Sequence, residues 1–317
     1  MRKGQNPAKF VKDVPHPERI TVALLNYIPF LSGFYAETLD VLKVCLNSIH
    51  KDAGLPFDLM VFDNGSCSEV RDFLVSEKGA GRIQYLILSD KNVGKGGAWN
   101  VMLPGAPGEI ITYTDSDVLF SPNWLSRSVG VLDTFPNVGM VTARPFRTPP
   151  EFYSATLRWA KKNRSAKVEN GQFIPWERFL EFNLSLGQSE EENRKVYAKT
   201  RDWRITYKGL CAMAGASHWQ FTAYKSRLQQ FLPFDMDKPM GQVRQLDKRM
   251  NDAGLLRLMV SDPLAMNMSN TLGYLRGELK GNRVKRHISF GKRVLEAGPI
   301  KKILLGVYNK IFNWYYS

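Results

Sequence analysis

Short apolar runs alternate with helical patterns along the first half of the chain, and this alternation constrains the fold more than any other feature. The first run, Ile20 to Leu25, reads ITVALL, and a helical pattern from Ala36 to His50 follows it. Further strands are predicted, in chain order, at 57–62, 83–88, 110–114 and 138–143. Strands that alternate with helices at this spacing predict an α/β fold with a mostly parallel central sheet and helices on both faces.

The second half of the chain continues this pattern after an interruption. The segment 145–210 is rich in charged and aromatic residues without clean strand alternation, which predicts a mostly helical insertion or subdomain. A strand is predicted at 218–224, a helix at 240–253 with Gly254 as its C-cap, and a strand at 255–260.

Composition excludes several classes of protein. With 44% hydrophobic and 23% charged residues, the chain is not a disordered tail, a collagen-like fibre or a coiled coil. The net charge of +14 favours polyanions such as nucleotides, phospholipid headgroups or nucleic acid. Three widely spaced cysteines without a Cys-x-x-Cys pair indicate a reducing compartment and argue against structural zinc. Because the sequence has neither a long apolar span nor a signal-peptide core, we expect a cytoplasmic protein.

The last 47 residues, 271–317, carry 10 Lys and Arg against 2 Glu, a net charge of +8. Apolar residues at i, i+3, i+4 spacing between Ile300 and Tyr315 predict an amphipathic helix. Packing of this helix on the rest of the protein is one interpretation. The alternatives are an interfacial helix on anionic lipid, which would make the protein peripheral on the inner face of a membrane, or a nucleic-acid contact.

Polar clusters follow the predicted strands, where open α/β sheets bind their ligands. Asn26-Tyr27 follows the first strand, Asp63-Asn64 the second and Asp115-Ser116-Asp117 the fourth. Two carboxylates two residues apart can hold Mg²⁺ or Mn²⁺ against a diphosphate, since hard oxygen ligands and substrate phosphates suit these ions. Taken alone, the same triplet is also typical of a turn that caps the next helix.

Two glycine-containing segments strengthen the ligand-binding interpretation. Gly65 in Asp63-Asn64-Gly65-Ser66 permits a close approach of the backbone to a ligand. The segment 92–100, NVGKGGAWN, has glycines that leave room for a ligand, and Lys95 offers a charge for phosphate just before a predicted helix. It is neither a P-loop nor a dinucleotide fingerprint.

These motifs, in this order, resemble glycosyltransferase family 2, whose members have the GT-A nucleotide-sugar fold. The resembling segments are VFDNGS at 61–66, Asn92-x-Gly94 with Ala98-x-Asn100, and Asp115-Ser116-Asp117, so the resemblance spans residues 20 to about 130. It implies nucleotide-sugar contacts at the following residues: Asn26, Tyr27, Asp63, Asn64, Asn92, Gly94, Lys95, Asn100 and Asp115. Asp115 and Asp117 are expected to hold ribose and a divalent cation, Mn²⁺ or Mg²⁺.

The second half departs from the family pattern. The family usually has a Glu-Asp pair about a dozen residues before an Ala-Gly, whereas Gln242-Val243 stands before Ala253-Gly254 here. The candidates for the base that an inverting transfer needs are Asp247 and Asp237, with Asp235 nearby. Asp247 could equally be a structural partner of Arg249 or Lys248.

The metal-binding histidine that the family often carries after the last strand is also missing. Asn267 stands at that position and can offer a carbonyl oxygen to a hard cation. His218 is a possible substitute, although a lone histidine beside a strand is more often a packed core residue.

The resemblance implies four segments and an activity. Residues 1–144 form the nucleotide-sugar-binding half, 145–210 the helical insertion, 211–270 the acceptor-side half and 271–317 the basic extension. We expect an inverting, metal-assisted glycosyltransferase of hexosyltransferase type, acting on a glycan or lipid-linked acceptor rather than nucleic acid. Four tryptophans are candidates to stack on sugars: Trp159, Trp176, Trp203 and Trp219. The alternatives are a non-catalytic nucleotide- or polyanion-binding protein and, less favoured, a nucleotidyltransferase.

Overall fold

The computed structural model describes residues 3–237, 243–273 and 275–277. The chain divides into two units, residues 1–275 and 276–317. The amphipathic helix predicted between Ile300 and Tyr315 lies outside the described residues. No helix among the described residues is long and apolar enough to cross a membrane.

The first unit consists of strands and helices that alternate through most of its length. Its strands are β1 (Ile20–Asn26), β2 (Asp58–Asp63), β3 (Tyr85–Leu88), β4 (Ile110–Asp115), β5 (Val118–Phe120), β6 (Val138–Thr142), β7 (Ala166–Gly171), β8 (Asp202–Tyr207), β9 (Leu210–Ala214), β10 (Gln220–Tyr224), β11 (Leu256–Val260) and β12 (Ala265–Asn267). Its α-helices are α1 (Thr38–His50), α2 (Ser68–Gly79), α3 (Gly94–Gly105), α4 (Trp124–Thr134), α5 (Ser154–Lys162), α6 (Trp176–Ser185), α7 (Glu190–Lys199), α8 (Lys225–Leu228) and α9 (Arg244–Asp252).

Ten strands form one sheet in the order β3-β2-β1-β4-β10-β6-β11-β9-β8-β7. The strands β1 to β4 are parallel, and β6 and β11 are parallel to each other. The strand β10 runs antiparallel to both β4 and β6, so β6 has the direction of β4. Counting through the remaining pairs, seven of the ten strands share one direction. The predicted α/β class, with its mostly parallel sheet, is confirmed.

Alternate residues of β1 reach opposite faces of the sheet, as strand geometry requires. Val22 and Leu24 belong to a core cluster that includes residues of α1, α2 and α4. Ala23 and Leu25 belong to a second cluster with residues of α3 and α9. Helices therefore cover both faces, and α3 and α9 share one of them.

The segment 145–210 holds the predicted helices together with two strands that the sequence did not predict. It contains α5, α6 and α7, but also β7 and β8, which extend the main sheet through β9. The strand β7 has the sequence AKVENG and lies at the sheet edge, half-buried or exposed throughout. An edge strand with polar side chains has no apolar alternation, so the sequence pattern gave no indication of it.

Candidate functional site

A buried amide joins the carboxyl ends of β1 and β2. Nδ2 of Asn26 donates to Oδ1 of Asp63 and to Oγ of Ser66, each at 3.0 Å. Oδ2 of Asp63 accepts the main-chain N–H of Ser66 at 3.0 Å and lies 3.5 Å from Nε of Arg71. Asn26 and Asp63 are fully buried, so these contacts fix the strand ends relative to each other. The adjacent Tyr27 is half-buried at the same edge.

The loops after β2 and β3 are locked together by two asparagines. Nδ2 of Asn64 donates to Oδ1 of Asn92 at 2.9 Å, and Oδ1 of Asn64 accepts the N–H of Val93 at 2.9 Å. Gly65 has φ of +88°, and a Cβ there would lie 2.8 Å from the carbonyl carbon of Lys91. Only glycine fits this position without strain, because it accepts the left-handed backbone and the close approach.

Gly94 begins α3 and leads directly to the charged residue of the site. Its N–H donates to Oδ1 of Asn92 at 2.8 Å, and its φ is +72°. Nζ of Lys95 then lies 2.7 Å and 2.9 Å from the two carboxylate oxygens of Asp115 at the end of β4. The hydroxyl of Tyr113 also donates to Asp115. The motif at 92–100 and the one at 115–117 are therefore in direct contact.

Asp117 has no comparable partner. Its Oδ1 is buried and has no hydrogen-bond partner among the described residues. Burial, together with the negative charge of Asp115, raises the pKa of Asp117 to about 7, although Lys95 opposes this shift. An unpaired buried carboxylate oxygen next to a second carboxylate is a position that favours a bound cation.

Main-chain contacts between β12 and β5 place Asn267 beside Asp117. The strand β12 pairs with β5 so that Asn267 is opposite Val118, and the N–H of Met268 donates to the carbonyl of Asp117 at 2.8 Å. The side-chain Oδ1 of Asn267 accepts the N–H of Ser269 at 2.7 Å. No group of three or more His, Cys, Asp or Glu residues arranged for a metal occurs within the described ranges. The protein atoms that fit a cation here are thus the carboxylates of Asp117 and Asp115.

Asn100 holds a separate segment against α3. Its side chain donates to the carbonyl of Phe234 at 2.8 Å and accepts the Phe234 N–H at 2.7 Å. A Cβ on Gly96 would lie 2.8 Å from the carbonyl oxygen of Asp235, which shows how closely this segment follows the helix. Asp237 is exposed two residues further on. The amide of Asn100 is thus engaged with the backbone of the segment that carries Asp235 and Asp237.

The partners predicted for Asp247 are wrong. Its Oδ1 accepts from Nη2 of Arg257 at 2.5 Å, and its Oδ2 lies 2.6 Å from Nδ1 of His218. Lys248 instead pairs with Asp252, and Arg249 donates to a main-chain carbonyl. Because successive residues on a helix point in different directions, neither Arg249 nor Lys248 faces the side of α9 on which Asp247 lies.

The histidine and the arginine of this cluster were missed as partners of Asp247. They lie 29 and 10 residues from Asp247 in the sequence, on different elements, and no local spacing links them. The only available signal was the position of His218 next to a predicted strand.

The tryptophans proposed as sugar platforms pack against protein side chains. Trp219 is buried and lies beside Phe146 and Phe182. The other three are half-buried and contact the rings or ammonium groups of their neighbours: Trp159 with Tyr207, Trp176 with Tyr197, and Trp203 with Lys161. Stacking on a sugar remains a prediction for these residues.

The carboxyl ends of β1, β2 and β4 carry polar loops, a lysine and paired carboxylates. An α/β sheet with such a site defines a ligand-binding class of protein. Residues 33–184 match the model of Glycosyl transferase family 2. This match confirms the resemblance seen in the motifs.

Individual relatives are more distant. An uncharacterized glycosyltransferase of Nostoc sp. strain PCC 7120 is 28% identical over 125 residues, which are 39% of this chain and 35% of that protein. The chain thus matches about a third of the length of this curated relative.

Solved structures with similarity include the mannosyltransferase PcManGT from Pyrobaculum calidifontis, in complex with GDP-Man and Mn²⁺. It is 17% identical, with a TM-score of 0.46, over 79% of this chain and 56% of that chain. S. aureus TarS in complex with UDP-GlcNAc is 14% identical, with a TM-score of 0.46, over 78% and 57%.

Proposed function

We propose that this chain is an inverting glycosyltransferase that moves a sugar from a nucleoside-diphosphate sugar to an acceptor hydroxyl. The observation that carries the proposal is the contact between motifs that lie far apart in sequence. Asn64 bonds to Asn92, and Lys95 bonds to Asp115, so the loops after β2, β3 and β4 form one polar site. The family match of residues 33–184 supports a transferase rather than another nucleotide-binding protein.

The chemistry of the site suits a donor diphosphate. The ammonium of Lys95, which bonds to Asp115, offers a positive charge to a phosphate oxygen. A helix N-terminus at Gly94 supplies further N–H groups directed at an anion. Asn26, Asp63, Asn64, Asn92 and Asn100 would shape the nucleotide pocket largely by holding these loops, with Tyr27 at its edge.

The carboxylates of Asp117 and Asp115 would hold a divalent cation, and the uncharged side chain of Asn267 would lie next to them. The unpaired Oδ1 of Asp117 is the structural reason. Such an ion supplies charge stabilisation to a leaving diphosphate. The mannosyltransferase in complex with GDP-Man and Mn²⁺ is consistent with the same requirement. Of the two bases that the sequence offers, Asp237 is exposed, whereas both carboxylate oxygens of Asp247 are already engaged. The acceptor is expected to be a glycan or a lipid-linked sugar, bound by the basic, aromatic second half.

The test is release of nucleoside diphosphate from a panel of UDP- and GDP-sugars, with Mn²⁺, with Mg²⁺ and with EDTA. We expect one donor to be turned over, and Asp117→Ala to reduce its turnover at least tenfold. The matched control is Asp90→Ala, which removes a fully exposed carboxylate on a neighbouring loop. Nucleotide binding without release from any donor would favour the alternative, a non-catalytic nucleotide-binding protein.

A further inference from the structure

A histidine, an aspartate and an arginine from three elements form a connected group. Asp247 on α9 bonds to Arg257 on β11 at 2.5 Å and to His218, just before β10, at 2.6 Å. The side chains of Asp247 and Arg257 are 6% and 1% exposed, whereas that of His218 is 26% exposed. His218 therefore has the most solvent-exposed side chain of the three.

The contacts in this group decide which ring nitrogen of His218 faces Asp247 and which remains available. The carboxylate of Asp247 accepts from the guanidinium of Arg257, which also donates to the carbonyl oxygens of Phe152 and Ala216. Burial lowers the pKa of Arg257 to about 10, which still leaves it charged at neutral pH. An ionised carboxylate can only accept, so Nδ1 of His218 donates to it. In the neutral ring, Nε2 is then left with a lone pair.

His218 lies at the same sheet edge as the paired carboxylates. The strand β10 begins two residues after His218 and pairs antiparallel with β4, Gln220 being opposite Thr114. The carbonyl of the intervening Trp219 accepts the N–H of Asp115 at 3.1 Å. The start of β10 is therefore beside the end of β4, and His218 is close along the backbone to Asp115.

The group also lies on the face of the sheet that carries Lys95. Leu246 and Met250 of α9 belong to the same core cluster as Trp99 of α3. In that cluster the rings of Tyr113 and Phe221 stack, with 5.4 Å between their centroids. The helices that carry Asp247 and Lys95 thus pack on the same side of the sheet.

Asp247 is poorly placed to accept a proton from an acceptor. Its two oxygens are engaged by Arg257 and His218, and its side chain is almost fully buried. Its contacts suit it to orient the imidazole ring and to stabilise an imidazolium, which makes it a positioning residue.

We propose that His218 is the general base of the transfer reaction, an inference that rests on the function proposed above. Nε2 takes the proton of the acceptor hydroxyl while the hydroxyl oxygen forms a bond to the anomeric carbon of the donor sugar. The bond from that carbon to the diphosphate oxygen breaks, and its electron pair leaves with the nucleoside diphosphate. The imidazolium is held by Asp247 and later loses its proton to solvent. His218 would thus take the role of the family's Glu-Asp pair, whose positions are occupied here by Gln242 and Val243.

The experiment uses the full chain, the donor that the wild type turns over, and water or glycerol as the acceptor probe. The variants are His218→Ala and His218→Gln, with His16→Ala as a control because His16 is exposed and remote in sequence from the site. Each is measured for turnover, for donor affinity by calorimetry, and for rescue by added imidazole. We expect kcat to fall about 10²- to 10⁴-fold in both variants. Donor affinity should stay within about twofold, and imidazole should restore turnover to His218→Ala alone.

Asp247→Asn tests the positioning role. Its amide can donate to Nδ1 and so shift the ring proton to Nε2, which should lower kcat without changing the KM for the donor. Because the ring is still present, imidazole should not rescue this variant. A melting curve establishes that the variant is folded, and if it is not, the two His218 variants still decide the proposal.

The outcomes separate the two proposals. If the wild type turns over a donor and the kcat of His218→Ala is within about fivefold of the wild-type value, His218 is not the base. The proposed transferase activity is then unaffected. A loss that appears in donor affinity rather than in kcat overturns the role of His218 equally. Absence of turnover by the wild type with every donor overturns the proposed function itself, and the base with it.

Discussion

The ammonium of Lys95 lies within hydrogen-bonding distance of both carboxylate oxygens of Asp115, at 2.7 and 2.9 Å. The two side chains are largely buried, with exposed fractions of 15% and 30%. In the absence of a ligand, the positive charge of Lys95 compensates the negative charge of the Asp115 carboxylate at the end of β4. The lysine therefore balances the charge of Asp115 and can also meet an incoming phosphate.

Replacing Lys95 with Met should weaken nucleoside-diphosphate binding by about tenfold to a hundredfold. The substitution removes a charged hydrogen bond, worth about 1.5–3 kcal/mol, and leaves the negative charge of Asp115 to repel the diphosphate. Lys95→Arg should retain part of the affinity. Titration calorimetry with UDP and GDP measures the effect, and Lys91→Met on the exposed preceding loop is the control. Equal affinities for the wild type and Lys95→Met would contradict this role.

Stability should depend on pH through Asp117. Its pKa of about 7 lies above its ordinary value of 3.8, so between these pH values the folded protein holds a proton that the unfolded chain has released. The contribution of this group to the free energy of unfolding therefore falls as pH rises from about 4 to about 7. In EDTA, Asp117→Asn should be more stable than the wild type at pH 8, and the difference should become smaller as pH falls and disappear near pH 4. Urea unfolding at the two pH values measures it.

The same carboxylate should make cation binding pH-dependent. A protonated carboxyl is a poor ligand, so Mn²⁺ should raise the melting temperature of the wild type at pH 8 more than at pH 5.5. The rise at pH 8 should be lost in Asp117→Asn. An equal rise in the variant would show that the ion binds elsewhere.

Gly65→Ala should destabilise the protein through the contact between the loops after β2 and β3. The new Cβ would need to move the backbone at Lys91 in addition to accepting φ of +88°. We expect a loss of about 2–4 kcal/mol, of which the left-handed backbone accounts for about 1–2 kcal/mol. Gly81→Ala is the matched control, since Gly81 has φ of +77° with nothing within 4 Å. Denaturant unfolding of the two variants separates the contact from the backbone conformation, and equal losses would argue against the contact.

Removing Arg257 from β11 should lower stability far more than removing Lys248 from the surface of α9. Arg257→Met leaves Asp247 buried without its main cation, and breaking such a pair typically lowers the free energy of unfolding by about 3–5 kcal/mol. Lys248→Ala breaks an exposed pair with Asp252, for which about 0–1 kcal/mol is typical. Chemical denaturation of both variants compares them. A small effect of Arg257→Met would mean that Asp247 finds another partner or is neutral.

Local sequence patterns predicted the strands and the loops that follow them. The apolar run at β1 is a buried strand because every residue in it faces a core, and the loops at Asp63, Asn92 and Asp115 follow strand ends as expected. Parallel strands place their carboxyl ends at one edge, so the location of the site followed from the order of the motifs.

The contacts between side chains of different elements could not be predicted in this way. Asp247 faces Arg257 and His218 because the crossing of α9 over the sheet selects the residues it meets, and no periodicity encodes that angle. Lys95 pairs with Asp115 through the juxtaposition of α3 and β4, and the edge strand β7 is held by its partner β8 rather than by an apolar pattern. Hydrophobic periodicity records which face of an element is buried, whereas contacts between elements depend on packing distances and angles that the whole chain sets.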